Sequence, residues 1–163
     1  MVGKIVSIVG TIRSGKSFLT QKLADHYGVP GFIEGEEDDI PSEIIEGIEK
    51  NLRTLQRLVF FRNRFIKQHL EAIDLVQTNR FVFIDTAWMT CIPYIEQSPP
   101  GLDRTIMEDL AALDRKLLPW PDRIIHLKAD ERTVREHQAS GGRSWDGGEE
   151  YFDRQYVKMR PLL

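Results

Sequence analysis

Gly10-Thr11-Ile12-Arg13-Ser14-Gly15-Lys16-Ser17 carries the clearest chemistry in the 163-residue chain. Two glycines followed by Lys and Ser make the P-loop pattern. Glycine lets successive backbone N–H groups turn inward on an anion, and the start of a following helix adds positive dipole. Gly10, Arg13, Ser14, Gly15, Lys16 and Ser17 are therefore read as the cradle of a nucleoside triphosphate, with ATP and Mg2+ as the implied ligands. The Lys16 ammonium can reach the β- and γ-phosphates, and the Ser17 hydroxyl can ligate the metal. The loop does not say what receives the phosphoryl group.

Two carboxylates complete the chemistry. Asp85 closes the apolar run Phe81-Val82-Phe83-Ile84. At the C-terminal end of a parallel strand it stands beside the P-loop crevice, where it can hold magnesium or its waters; the plainer reading is an aspartate in a turn. Trp88, close behind, either walls the pocket or belongs to the core. Glu34, Glu36, Glu37, Asp38 and Asp39 crowd one loop, and most of such a run is a solvated face. Glu34, directly after Phe32-Ile33, is best placed to accept a proton from an attacking hydroxyl, with Glu36 as its rival. Neighbouring carboxylates raise one another's proton affinity, which favours a base of higher pKa.

A helix from about Lys50 to Leu70 carries the second pattern. Lys50, Arg53, Arg57, Arg64 and Lys67 fall within an arc of roughly 100°. Gln56, Phe60 and Asn63 lie within or beside that arc, and an aromatic ring among amides and guanidiniums suits a nucleobase and its phosphates. The alternative is the wet face of an amphipathic helix. Further on, Arg132, Arg135, His137 and Arg143 surround Gly141-Gly142; hinged arginines here could close over the triphosphate, or simply mark a charged surface helix. No His/Cys/Asp cluster has metal-ligand spacing, and no nucleophile-elbow motif supports Ser/His/Asp hydrolysis.

These residues need a scaffold, and the pattern supplies one. Lys4–Val9 reads as a buried parallel strand and Ser17–Tyr27 as a helix ended by Gly28. Strands are expected at 31–34, 80–85 and 123–127. The stretch 41–70 is expected to be mainly helical, in one piece or two; further helices are expected over 103–118 and from Asp130 onward, with a break near Gly141-Gly142. Strands alternating with helices predict a parallel sheet covered on both faces. The length allows one domain, 1–163, with a lid segment at about 131–150. Hydrophobic content of 41% and charged content of 29% exclude wholesale disorder. One cysteine, Cys91, excludes a disulfide framework and a Cys-rich zinc site. No apolar run approaches the ~18 residues of a membrane span, and the start lacks a signal-peptide layout, so a cytoplasmic protein without a membrane partner is expected. The formal charge of −3 averages an acidic 34–49, with eight acids and no base, against a basic 50–70, with six Lys and Arg and no acid. It therefore leaves a polyanionic substrate open.

The order of these parts resembles the deoxynucleoside kinase and thymidylate kinase branch of the P-loop kinases, over most of the chain. The resemblance implies an α/β, P-loop NTPase-type three-layer sandwich: a parallel sheet, helices on both faces and a small lid. It implies Glu34, in Phe-Ile-Glu-Gly, as catalytic base, with Lys16, Asp85 and Arg143 in the catalytic set and Arg135 and Arg143 on the triphosphate. The acceptor would then meet Gln56, Phe60, Asn63, Arg64 and Trp88. Three positions depart from the family: Gly35 stands where Pro is common, Thr86-Ala87 replaces Arg-Ser, and Gln56 and Arg64 are eight rather than seven apart. One residue turns a helical position by about 100°, so Asn63 takes the expected direction instead.

The implied activity is transfer of the ATP γ-phosphoryl group to a hydroxyl of a nucleoside or nucleotide acceptor. One alternative acceptor is a hydroxymethyl-modified pyrimidine within phage DNA, bound through the basic 50–67 helix. The other is a nucleotide-binding switch without kinase activity; a GTPase is disfavoured because no Asn-Lys-x-Asp motif occurs.

Overall fold

The computed structural model describes residues 3–34, 39–141 and 148–162. Lys4–Gly10 forms strand β1, with five consecutive buried residues from Ile5 to Val9. So continuous a run means a strand covered on both faces. Helix α1 follows at Lys16–Tyr27 and stops at Gly28, whose φ of 62° is left-handed, as a helix-ending glycine permits. Strand β2 is only Gly31–Phe32. Helices α2 (Ser42–Glu49) and α3 (Thr54–Leu75) precede strand β3 (Phe81–Asp85). A 3-10 turn at Trp88–Thr90 leads into α4 (Cys91–Gln97), then α5 (Leu102–Leu117) and strand β4 (Arg123–Leu127). Helix α6 (Glu131–Ser140) is capped by Asp130, whose carboxylate accepts from the Thr133 N–H at 2.8 Å. Helix α7 (Glu149–Phe152) runs on into a wider turn at Asp153–Val157.

All pairings are parallel, in the order β2-β3-β1-β4. Ile5, Val82 and Ile84 point to one face and pack with Phe65, Ala72 and Val76, mostly from α3. Val6, Ile8 and Phe83 point to the other and pack with Leu19, Leu23 and Ala24 of α1. The three-layer sandwich expected from the sequence follows from this strict alternation. Each such buried aliphatic or aromatic side chain contributes roughly 1.5–3 kcal/mol.

The helix expected from Lys50 is interrupted. Asn51 (φ 51°) and Arg53 (φ 55°) are both left-handed, so the chain turns between α2 and α3 and Lys50 lies outside α3. Helix α4 was not anticipated: Pro93 sits in its first turn, where the missing N–H costs nothing. Among the described residues no helix is long and apolar enough to cross a membrane.

Candidate active site

The P-loop joins β1 to α1 at the carboxyl end of the sheet. Gly10 cannot be replaced without movement: a Cβ there would lie 2.7 Å from both the Leu127 carbonyl oxygen and Ser14 Oγ. Arg13 (φ 53°) and Gly15 (φ 93°) take left-handed conformations that curl the loop over the start of α1. Lys16 Nζ donates to the Thr11 carbonyl at 3.1 Å. The hydroxyls of Thr11 and Ser14 are buried with no hydrogen-bond partner among the described residues. Unpaired buried polar atoms are costly, and donors gathered around a loop of this shape suit an anion with several acceptor oxygens.

Asp85 is fully buried, and its carboxylate accepts from Ser17 Oγ and, at 3.1 Å, from Thr86 Oγ1. A carboxylate and a hydroxyl in contact are the hard oxygen donors that Mg2+ takes, and two hydroxyls leave acceptor capacity on Asp85 unused. The residues present therefore fit the metal. Thr86 is itself strained: φ is 71°, a region that costs a β-branched residue of order 1–3 kcal/mol. A hydrogen bond from its N–H to the Ile8 carbonyl at 3.0 Å holds it there.

A cavity of about 690 Å³ opens beside the loop. Gly10, Ile12, Lys16, Glu34 and Thr86 line one part of it; Thr54, Arg57, Leu58, Phe61 and Phe65 of α3, and Cys91, Tyr94 and Gln97 of α4, line the walls. Tyr151, Arg154, Gln155, Lys158 and Met159 close it from the C-terminal segment. Burial pushes the Cys91 thiol up to about 12, with the Glu34 charge adding to the rise. The Tyr94 phenol is raised by burial and then by Glu34. Glu34 thus faces α4 across the cavity.

Lys16 and Glu34 line this opening, and the Ser17–Asp85 pair adjoins it through the neighbouring Lys16 and Thr86, whereas the expected acceptor residues do not line it. Gln56 and Asn63 are exposed, and none of Gln56, Phe60, Asn63 or Arg64 lines the cavity. Phe60 packs beside Ile40, Ile44 and Ile48, and the Arg64 guanidinium lies over its ring and 3.8 Å from Asp39. The face of α3 turned to the cavity is one residue round, at Thr54, Arg57, Leu58, Phe61 and Phe65. Its rotation is set by Phe65 docking on β3 and by Leu55, Leu58 and Val59 docking on Ile95 and Met107. Trp88 is a core residue: it is 2% exposed, donates Nε1 to the Pro119 carbonyl at 3.3 Å and meets Trp120 edge-on.

The basic stripe is largely neutralised. Lys50 and Arg53 pair with Glu46, Arg62 with Asp114, Arg64 with Asp39 and Lys67 with Glu71. In the expected lid, Arg135 is held by Glu131 and Glu149, which raise its pKa, and stacks 3.8 Å over Phe152. Arg135 therefore does not line the cavity. His137, with Nδ1 protonated, donates to the Arg13 carbonyl at 2.8 Å and so ties α6 to the P-loop. Arg143 and Glu36 lie outside the described residues.

Sequence reasoning missed Thr86, Phe61, Tyr94 and Arg154 as cavity residues. Thr86 had a signal, following Asp85 at a strand end; the others depend on helix rotation and on a C-terminal segment read only as helix.

Neither a protein-family model nor a curated protein matches the sequence. Solved structures do match. A deoxyadenosine kinase from M. mycoides, solved with the products dCMP and a flexible dCDP bound, superposes with a TM-score of 0.74 at 17% identity, covering 97% of this chain and 82% of that one. The same enzyme with bound dATP gives 0.70 at 16% identity, covering 98% and 83%. Thymidylate kinase from Candida albicans gives 0.65 at 18% identity, covering 99% and 78%. The chain has the P-loop NTPase-type α/β sandwich fold that these structures share. Within that fold, the β1–α1 loop and the end of β3 stand at the carboxyl edge of the sheet, where open α/β folds bind their ligands.

Proposed function

We propose that the protein transfers the γ-phosphoryl group of ATP to a hydroxyl of a nucleoside-type acceptor. The observation that carries this reading is that Lys16 and Glu34 line one cavity at the carboxyl edge of the sheet, with Ser17 bonded to Asp85 immediately beside the lining residues Lys16 and Thr86. The P-loop backbone and Lys16 hold the triphosphate, with Lys16 leaving the Thr11 carbonyl for the β- and γ-oxygens. Ser17 and Asp85 would hold Mg2+, which supplies charge neutralisation on those oxygens. Glu34 orients the acceptor hydroxyl and takes its proton. Phe61 and Phe65 offer the aromatic surface for a base, in place of Phe60. Helix α6 acts as the lid, with His137 on the loop backbone. The neutralised stripe on 50–67 favours a small acceptor over a DNA strand.

Glu34→Gln tests the assignment. Acceptor phosphorylation from radiolabelled ATP should fall at least a hundredfold while ATP affinity stays within about threefold, because general-base catalysis contributes about 10²–10⁴-fold. An equal loss of both, or unchanged transfer, contradicts a base role.

A further inference from the structure

Arg57 differs from every other base of its stretch. The remaining five Lys and Arg residues between 50 and 67 each pair with a carboxylate, and Arg57 has none among the described residues. Its hydrogen bonds run to neutral oxygens, Asn51 Oδ1 and Thr54 Oγ1, both at a long 3.3 Å. Its Nε is buried and has no hydrogen-bond partner among the described residues. The stem lies against Gly47, where a Cβ would come within 3.2 Å of Arg57 Cδ, so the side chain is held in one course rather than splayed into solvent. Burial depresses the pKa of Arg57, and the charge of a second cation, Arg154, depresses it further. Arg154 also lines the cavity; it donates to the Ile48 carbonyl at 3.2 Å and pairs with Glu150, which is 82% exposed at the rim. Two guanidiniums lining one cavity repel, and an anion between them removes that cost. Planar guanidiniums match phosphate oxygens in pairs.

The position of this pair matters as much as its charge. Gln68 Nε2 donates to the Ile33 carbonyl at 3.0 Å, which sets the backbone of Glu34 beside the middle of α3. Arg57 lies eleven residues earlier in the same helix, about 16 Å along its axis at 1.5 Å per residue. An anion held by Arg57 is therefore remote from the hydroxyl activated at Glu34.

We infer that the acceptor is a free mononucleotide, held by its phosphate between Arg57 and Arg154 while a hydroxyl at its other end is phosphorylated. The inference rests on the kinase reading for the reaction and on Arg57 and Arg154 for the substrate class. In the transfer, the acceptor hydroxyl oxygen forms a bond to the γ-phosphorus, and the bond from that phosphorus to the β–γ bridging oxygen breaks. ADP leaves with the electron pair, and the hydroxyl proton passes to Glu34. The phosphate between the arginines is untouched, so the product carries two phosphates on separate oxygens.

The test is calorimetric binding, without ATP, of deoxynucleosides and their 3′- and 5′-monophosphates to the wild type, Arg57→Gln, Arg57→Lys and Arg154→Gln, each checked by thermal melting. The wild type should bind at least one monophosphate about tenfold or more tighter than its parent nucleoside. That preference should fall to within about twofold in either Gln variant and survive in part in Arg57→Lys. Equal binding of nucleosides and monophosphates, or a preference untouched in both folded Gln variants, overturns the inference. Binding of a single-stranded oligonucleotide with no mononucleotide binding overturns the free-nucleotide assignment. A separate ATP titration keeps the two readings apart: a wild type that prefers monophosphates but does not bind ATP retains this subsite and loses the kinase assignment.

Discussion

Replacing Asp85 by Asn separates a carboxylate that serves a cation from one that holds the fold. The side chain is fully buried and accepts from two hydroxyls, Ser17 Oγ and Thr86 Oγ1. An Asn amide keeps the shape, its oxygen accepts one of these bonds, and a rotated hydroxyl accepts from its nitrogen. The hydrogen-bond count is preserved, and a buried carboxylate is replaced by a neutral amide of the same shape. The expected change in stability is at most about 1 kcal/mol of either sign, or about 2–4 °C in melting temperature for a chain of this size. Binding of Mg·ATP behaves differently. At a hundredfold excess over its dissociation constant a ligand stabilises the native state by about 2.7 kcal/mol, which corresponds to roughly 5–10 °C. The wild type should show that shift in a melting assay with Mg·ATP, and Asp85→Asn should lose most of it, together with about a hundredfold or more of its transfer rate. A variant whose melting temperature drops by more than about 10 °C without ligand would show that the carboxylate is structural. A variant that keeps the full Mg·ATP shift would refute the metal role.

Two further predictions concern the scaffold. Arg62 reaches Asp114 with two nitrogens, linking α3 to α5 with side chains only 17% and 9% exposed. Asp114→Ala leaves a half-buried guanidinium unpaired and should cost roughly 2–4 kcal/mol, lowering the melting temperature by about 5–15 °C; a shift below 2 °C contradicts this. His69 is fully buried, and burial lowers its pKa from the ordinary 6.5. Below pH ~6.5 the unfolded chain gains a proton that the native chain refuses, so stability should fall as pH drops from 7 to 5 and stay level in this respect above 7. His69→Leu should flatten that slope in denaturant titrations, and an unchanged slope removes His69 as its source.

The parts of this molecule that were legible in the sequence are those fixed by local geometry. The P-loop needs glycine where the backbone curls and where Gly10 meets Leu127, so its pattern is written in consecutive residues. The strand ends at Gly10 and Asp85 follow from unbroken apolar runs between turn residues. The sheet order also places Asp85 opposite Ile8, one strand from the loop. The α3 wall of the cavity was not legible, because it depends on how α3 is rotated about its axis. An amphipathic helix of 22 residues offers several polar stripes, and docking of Phe65 on β3 and of Leu58 on α4 and α5 selects the one at Thr54, Arg57 and Phe61. Gln56 and Phe60 stand one position away from that stripe. Two left-handed residues, Asn51 and Arg53, break the pattern just before α3, and neither is a glycine that would have marked the turn. Arg154 escaped notice because its role depends on the C-terminal segment folding back, through Phe152 and Tyr156 against Val134 and Ile12.

Transfer of the γ-phosphoryl group tests the central claim most directly. Wild-type protein and Lys16→Ala are incubated with γ-labelled ATP, Mg2+ and a panel of nucleosides and mononucleotides. The wild type should label at least one acceptor on an oxygen that was a hydroxyl. Lys16→Ala loses one partly exposed hydrogen bond to the Thr11 carbonyl and should melt within about 4 °C of the wild type, yet label no acceptor. Retained labelling in folded Lys16→Ala, or a wild type that labels nothing while hydrolysing ATP slowly to free phosphate, would contradict the account.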